Sequence, residues 1–151
     1  MHHRISAGVI VEADSKILLV HNYLPGRYDF WVAPGGGVKG AEDLQAAAIR
    51  EVHEECGLDV ELGTIAYIED LYNPEQRICK IWFTGHVIGG AIRTDSAEAS
   101  AEGIVAAAFL SRREFESKVV FPLVLNSDYW RDRESGFSRP RYLGIREMQV
   151  Y

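Results

Sequence analysis

The sequence is poor in cysteine. Its 151 residues contain two, Cys56 and Cys79, and they form no CxxC pair. That excludes a disulfide framework and makes a reducing cytoplasm the expected location. No apolar run approaches the roughly 20 residues needed to cross a bilayer, so no membrane partner is expected. The first residues lack the apolar segment of a secretory signal. There is no excess of positive charge either: the formal net charge is −6, which argues against general nucleic-acid binding by charge alone. Internal repeats, low-complexity tracts and dividing linkers are also missing. One domain spanning residues 1–151 is expected, long enough for a sizeable core, and a hydrophobic content of 47% is ordinary for such a chain.

What the chain does contain is concentrated in Gly36 to Leu58, GGVKGAEDLQAAAIREVHEECGL. A helix turns about 100° per residue, so Glu54 and Glu55 fall within roughly 60° of Glu51. The three carboxylates form a patch, with Leu58 on the same side. Each added like charge raises the cost of ionising the next. A cation held by oxygen ligands, most simply a divalent metal, is therefore expected among them. Ile49, Val52 and Cys56 collect on another face, suited to packing on a sheet. Ala46, Ala47 and Ala48 favour helix and leave little bulk. Glu42 and Asp43 lie near the expected N-terminus, and Gly57 reads as a left-handed stop. The expected helix runs from about Ala41 to Cys56. Cys56 is expected to be a small core residue.

This stretch resembles the signature of the Nudix hydrolases, G-x5-E-x7-R-E-U-x-E-E-x-G-U, with U a bulky aliphatic residue. Gly36, Glu42, Arg50, Glu51, Val52, Glu54, Glu55, Gly57 and Leu58 fill every specified position, and Pro34-Gly35 fits the usual lead-in. Lys39 stands where an acidic residue is frequent, and Gly40-Ala41 replaces a frequent Pro-Gly. The resemblance implies an α/β fold: a Nudix-like α/β/α sandwich with a mixed β-sheet and a loop–helix–loop catalytic motif. It implies that Glu51, Glu54 and Glu55 hold Mg²⁺ (or Mn²⁺), with a backbone carbonyl of Gly35 or Gly36 as a further ligand. Gly35, Gly36, Gly37 and Lys39 are the expected substrate-binding residues. Glu42 and Gly57 are expected to be structural. Arg50 is expected to organise carboxylates by pairing with Glu42 or a metal-binding glutamate, with direct phosphate contact as the alternative. The proton acceptor is left between Glu54 and Glu55 of the signature and two loop residues, Glu98 and Glu102.

The implied activity is hydrolysis of the phosphoanhydride of a nucleoside diphosphate derivative, either a nucleotide sugar such as ADP-ribose or a nucleoside triphosphate. A small nucleotide is the implied partner, and a homodimer is a common assembly in the family. A non-catalytic nucleotide-sensing module would be expected to lose a signature glutamate, and this chain keeps all three; isopentenyl diphosphate isomerase-like chemistry ranks lower still.

Elsewhere, Ile5–Glu12 and Lys16–His21 form an expected hairpin around Ala13-Asp14-Ser15. Strands are expected at 29–33, 58–71, 78–88 (broken by Gly89-Gly90), 104–110 and 141–151. Residues 94–103 read as a polar loop. Ser111 and Glu114 predict a capped short helix to Glu116, and another helix is expected around Leu123 to Arg131. Tyr23, Tyr28, Phe30 and Trp31 lie near enough to stack on a base, although packing is their commoner role. Arg112, Arg113, Arg131, Arg133, Arg139, Arg141 and Arg146 could meet phosphates, with surface ion pairing as the commoner case. His53 and His86 are expected to be structural. Pro74 stands at roughly the distance where ADP-ribose-cleaving relatives carry a proline.

Overall fold

A computed structural model describes residues 1–151. Its centre is the hairpin of β1 (His2–Ala13) and β2 (Lys16–Leu24). Asp14 and Ser15 both take positive φ, 51° and 60°, the two-residue turn whose twist matches that of the flanking strands. Val9, Ile10 and Val11 on β1 and Ile17 to Val20 on β2 are buried without a break. Continuous rather than alternating burial means that both faces of these strands are covered.

β1 runs parallel to β6 (Gln76–Gly90), from His2 opposite Gln76 to Val11 opposite Gly85. It also pairs antiparallel with β4 (Gly35–Gly37) through Ser6 to Gly8. β5 (Leu58–Tyr72) pairs antiparallel with β6, and β9 (Arg141–Glu147) adds in parallel at the edge of β5. On the other side β2 pairs with β3 (Tyr28–Val32) and β7 (Ile104–Ser111), and β8 (Val120–Phe121) lies parallel to β3. The resulting mixed sheet follows the order β8-β3-β2-β1-β6-β5-β9. Helix α1 (Leu44–Cys56) covers β1, β4 and β5. Three short helices follow: α2 (Ala97–Ala101), α3 (Arg112–Phe115) and α4 (Tyr129–Asp132). The α/β fold with a mixed sheet is thus the one expected, and no helix is long and apolar enough to cross a membrane.

Several boundaries differ from expectation. Helix α1 starts at Leu44, not Ala41. Asp43 caps it by accepting from the Ala46 N–H at 2.7 Å, and Glu42 is drawn into the preceding turn by the Lys39 N–H at 2.8 Å. Its sheet-facing side consists of Ala47, Ala48, Val52 and Cys56, while Ile49 falls outside it and is 39% exposed. β6 continues through Gly89 and Gly90, whose partners Asp59 and Leu58 supply a ladder that local propensity does not foresee. The polar loop at 94–103 contains α2, capped by Ser96. The region 123–131 splits into a 3₁₀ turn (Leu123–Asn126) and α4. β9 ends at Glu147 rather than Tyr151.

Helix α1 ends at Gly57, where φ is 75° and the N–H donates to the His53 carbonyl. A Cβ at this position would stand 2.6 Å from the Ala91 carbonyl oxygen. Gly57→Ala combines left-handed strain with a backbone collision and is expected to lower stability by about 1–3 kcal/mol. Urea unfolding reads it directly, and a variant as stable as the wild type would remove Gly57 as the required stop.

Candidate active site

Helix α1 turns Glu51 and Glu55 inward beneath β4, where they are only 4% and 2% exposed. Their carboxylate oxygens lie with one from Glu102 in a group of three, all within 4.8 Å of one another. Glu102 arrives from the far end of α2. Its backbone carbonyl accepts from Asn22 Nδ2 at 2.9 Å, beside an irregularity in the β2–β7 ladder. α2 is tied to α1 by Ser96, whose hydroxyl donates to the Glu54 carbonyl at 2.5 Å and accepts from the Ala99 N–H. Glu98 points out of α2 and is exposed, outside the group.

The glycine turn closes over the carboxylates. The Gly35 N–H donates to Glu55 Oε1 at 3.2 Å. A Cβ on Gly36 would sit 2.6 Å from the Glu51 carboxyl carbon, so only glycine allows this approach. Gly37 lends its carbonyl to Arg50 Nη2 at 3.1 Å. Lys39 is exposed and meets the site only through its backbone.

Arg50 holds the arrangement together. It binds Glu42 through two nitrogens, at 3.1 and 2.5 Å, and Nη1 reaches Glu51 at 3.0 Å and Glu54 at 3.1 Å. Both pairings expected for Arg50 are therefore present together. Glu54 is engaged by Arg50 and stands outside the group of three. Glu42 Oε1 serves both Arg50 and the Lys39 N–H.

The charges respond in opposite directions. Burial, with the Glu102 and Glu51 charges added, pushes the Glu55 carboxyl well above the ordinary range. Burial and then Glu51 raise Glu102 as well. The Arg50 hydrogen bond and the Lys39 N–H lower Glu42 to about 2. One oxygen, Glu51 Oε2, is buried with no partner at all. A buried carboxylate oxygen left bare among like charges fits a hard dication, which takes oxygen ligands of this kind. The residues that could hold one are Glu51, Glu55 and Glu102.

Residues outside this group take packing and pairing roles. Phe30 is buried in the core, Trp31 stacks on His21 at 4.5 Å, and Tyr23 is exposed. Arg131, Arg133, Arg141 and Arg146 engage in ion pairs with neighbouring carboxylates. His53 pairs with Asp59. Cys56 is fully buried in the core. Pro74 lies in the turn between β5 and β6, where Asn73 Oδ1 accepts from the Glu75 and Gln76 N–H groups.

The sequence matches the NUDIX domain family over residues 2–128. Mouse diphosphoinositol polyphosphate phosphohydrolase 3-alpha is 42% identical over 55 residues, 36% of this chain and 32% of that protein. The ADP-ribose pyrophosphatase of Methanocaldococcus jannaschii is 29% identical over 104 residues, 68% of this chain and 62% of that protein. The matched stretches thus span from about a third to about three fifths of these relatives. Among solved structures, a NUDIX hydrolase from Nitrosomonas europaea superposes with a TM-score of 0.73 at 22% identity, covering 89% of this chain and 90% of that one. An ADP-ribose pyrophosphatase from Streptococcus suis gives 0.65 at 23% identity, covering 92% and 98%.

The raised carboxyls set the pH dependence of the metal-free protein. Between the ordinary glutamate value and the raised one, folded Glu55 keeps a proton that the unfolded chain releases, so stability falls as pH rises through that window. Glu42 acts in the opposite sense: its contribution is intact above 4.5 and lost as pH falls toward about 2. Glu55→Gln is expected to flatten the neutral-side decline and to raise the melting midpoint in EDTA at about pH 8, by about 2–4 °C for each kcal/mol of relieved burial. Thermal melts across pH check this, and an unchanged midpoint would show that Glu55 carries no such penalty.

Proposed function

The chain belongs to the NUDIX family, and from that footing we propose that it is a pyrophosphohydrolase cleaving the phosphoanhydride of a nucleoside diphosphate derivative with the help of Mg²⁺. The observation that carries the reading is the group formed by Glu51, Glu55 and Glu102, with a bare buried oxygen on Glu51. In this reading those three carboxylates hold the ion. A bound Mg²⁺ or Mn²⁺ supplies charge neutralisation at phosphate oxygens and lowers the pKa of coordinated water.

The protein's own groups divide the remaining work. The Gly35–Gly37 turn presents backbone at the rim of the carboxylate group, and glycine at 36 is what lets the Glu51 carboxylate lie directly against it. Arg50 fixes Glu51 and Glu54 in orientation through charge-assisted hydrogen bonds. It is a positioning residue, its five donors directed to Glu42, Glu51, Glu54 and the Gly37 carbonyl. Glu54 is assigned as the acceptor of the water proton: it neighbours Glu55 in sequence, lies outside the group of three, and is partly open to solvent. Glu102 is assigned to the ion rather than to the proton because its oxygen already stands with those of Glu51 and Glu55.

A nucleotide sugar would yield a nucleoside monophosphate and a sugar phosphate, whereas a nucleoside triphosphate would yield a monophosphate and pyrophosphate. Incubating a panel of both with Mg²⁺ and separating the products decides between them. Glu55→Gln is expected to lose Mg²⁺ uptake by calorimetry and to lose turnover. Glu54→Gln is expected to keep the uptake and to lower kcat by about 10²–10⁴. Undiminished kcat in Glu54→Gln would take the proton-accepting role from it, and no turnover of any panel member by the wild type would overturn the reading.

A further inference from the structure

Lys80 lies against the carboxylate site without bonding to any of its members. It stands on β6 two residues before Trp82, so the two side chains share a face of the sheet. The residue is 4% exposed. Its Nζ lies 4.4 Å from the centre of the Trp82 ring and 4.9 Å from that of Tyr151. It takes part in no hydrogen bond, and no carboxylate comes within the 4.0 Å of an ion pair. A buried ammonium normally has a bonded counterion, because losing hydration without one is costly. Two aromatic faces attract a cation but supply no lone pair to its protons.

The same side chain lines a cavity of about 290 Å³ together with Arg4, Gly35, Gly36, Glu102 and Tyr151. Gly35 is in contact with it: a Cβ there would stand 3.1 Å from Lys80 Cε. Arg4 also lacks an ion pair, and its guanidinium lies against Gly37, where a Cβ would meet Nε at 2.6 Å. One cavity therefore unites the glycine turn, one member of the carboxylate group and two cations without bonded counterions. An anion entering this cavity meets Lys80, Arg4 and the glycine turn together, and a diphosphate has charge enough to engage them while its other phosphate faces the carboxylate group.

Resting on the hydrolase reading above, we propose that Lys80 is a substrate-binding residue that receives one phosphate of the diphosphate, while the neighbouring phosphate lies against the glycine turn and the carboxylate group. The Trp82 and Tyr151 rings flank the ammonium, and the cavity is the side from which an anion reaches it. Arg4 faces the same anion from the open side of the cavity. The competing role for Lys80 is long-range balance of the buried Glu55, Glu69 and Glu51 charges, in which no phosphate touches the ammonium and its own resonance does not move on titration.

The test uses the full chain with saturating Mg²⁺ and methylenediphosphonate, a diphosphate analogue whose bridging carbon resists hydrolysis. Calorimetry is expected to show binding to the wild type and a loss of roughly tenfold or more in Lys80→Met. With ¹³C-labelled lysine, the Lys80 Cε resonance of the wild type is expected to move on titration while those of Lys16 and Lys118 stay in place. Equal affinity in folded Lys80→Met would overturn the assignment. Should that variant fail to fold, an unmoved Lys80 resonance in the wild type would overturn it instead. Either result alongside normal nucleotide hydrolysis by the wild type removes the Lys80 assignment and leaves the hydrolase reading standing, whereas a wild type that hydrolyses no nucleotide removes both.

Discussion

Glu51 and Glu55 stand one helical turn apart, nearly sealed from water, with Glu102 directed at them from another element. Like charges in such surroundings repel one another and forfeit hydration, and several kcal/mol per ion is the usual scale of that loss. The features around them offset it piece by piece. Arg50 reaches Glu51, the Gly35 N–H reaches Glu55, and Lys80 sets a positive charge nearby without bonding to either. The offset is incomplete. Glu55 remains displaced toward its protonated form, and Glu51 keeps a bare oxygen. A site left short of positive charge by its own protein is one that a cation completes.

The supporting architecture follows from that shortage. Arg50 can serve Glu42, Glu51 and Glu54 at once because Glu42 has been pulled out of the helix into the turn before it, where the Lys39 N–H shares the Oε1 that Arg50 Nη2 binds. The cap at Asp43 lets α1 begin after that turn without leaving the Ala46 N–H unmet. β4 pairs with β1, and this fixes the glycine turn at the height of the glutamates. The alanines on the buried face of α1 bring the helix close enough for Gly35 to bond Glu55. Fold and site are thus one set of constraints: shifting α1 outward by the width of a larger side chain would separate the carboxylates from the turn that covers them.

Much of this was legible in the sequence because it is local. The glutamates at 51, 54 and 55 share a face by helical geometry alone, and Gly57 announces its own left-handed conformation. What resisted reading depends on distant contacts. Glu54 belongs with Glu51 and Glu55 by angle, yet its carboxylate is engaged by Arg50 Nη1 and is not among the three grouped with Glu102. Ile49 looks like part of a packing face, but the face laid on the sheet is Ala47, Ala48, Val52 and Cys56, and Ile49 falls outside it. Glu102 and Glu98 are indistinguishable as loop glutamates; only the docking of α2 through Ser96 and Asn22 turns one inward and leaves the other in solvent. Lys80 reads as an ordinary polar residue in a strand, since its burial depends on Trp82 beside it and on Tyr151 at the far end of the chain. The only advance signal for Lys80 was a charged residue inside an otherwise apolar run, ICKIWF, which becomes informative once both faces of the strand are known to be covered.

The origin of the three carboxylates also bears on how the protein and a bound ion affect each other. Glu51 and Glu55 ride on α1, which packs on β1, β4 and β5, whereas Glu102 is fixed by β2 and β7 on the other side of β1. The group exists only when both parts of the sheet are assembled around their shared strand. An ion that bridges it therefore favours the folded chain over the unfolded one, by an amount set by its concentration relative to its dissociation constant. It also links two parts of the molecule in addition to β1, the Ser96 contact and the packing of Tyr151 on Phe30 and Phe121. In the proposed reading, ion affinity and fold stability are drawn from the same three carboxylates, so removing one of them weakens the coupling between the two.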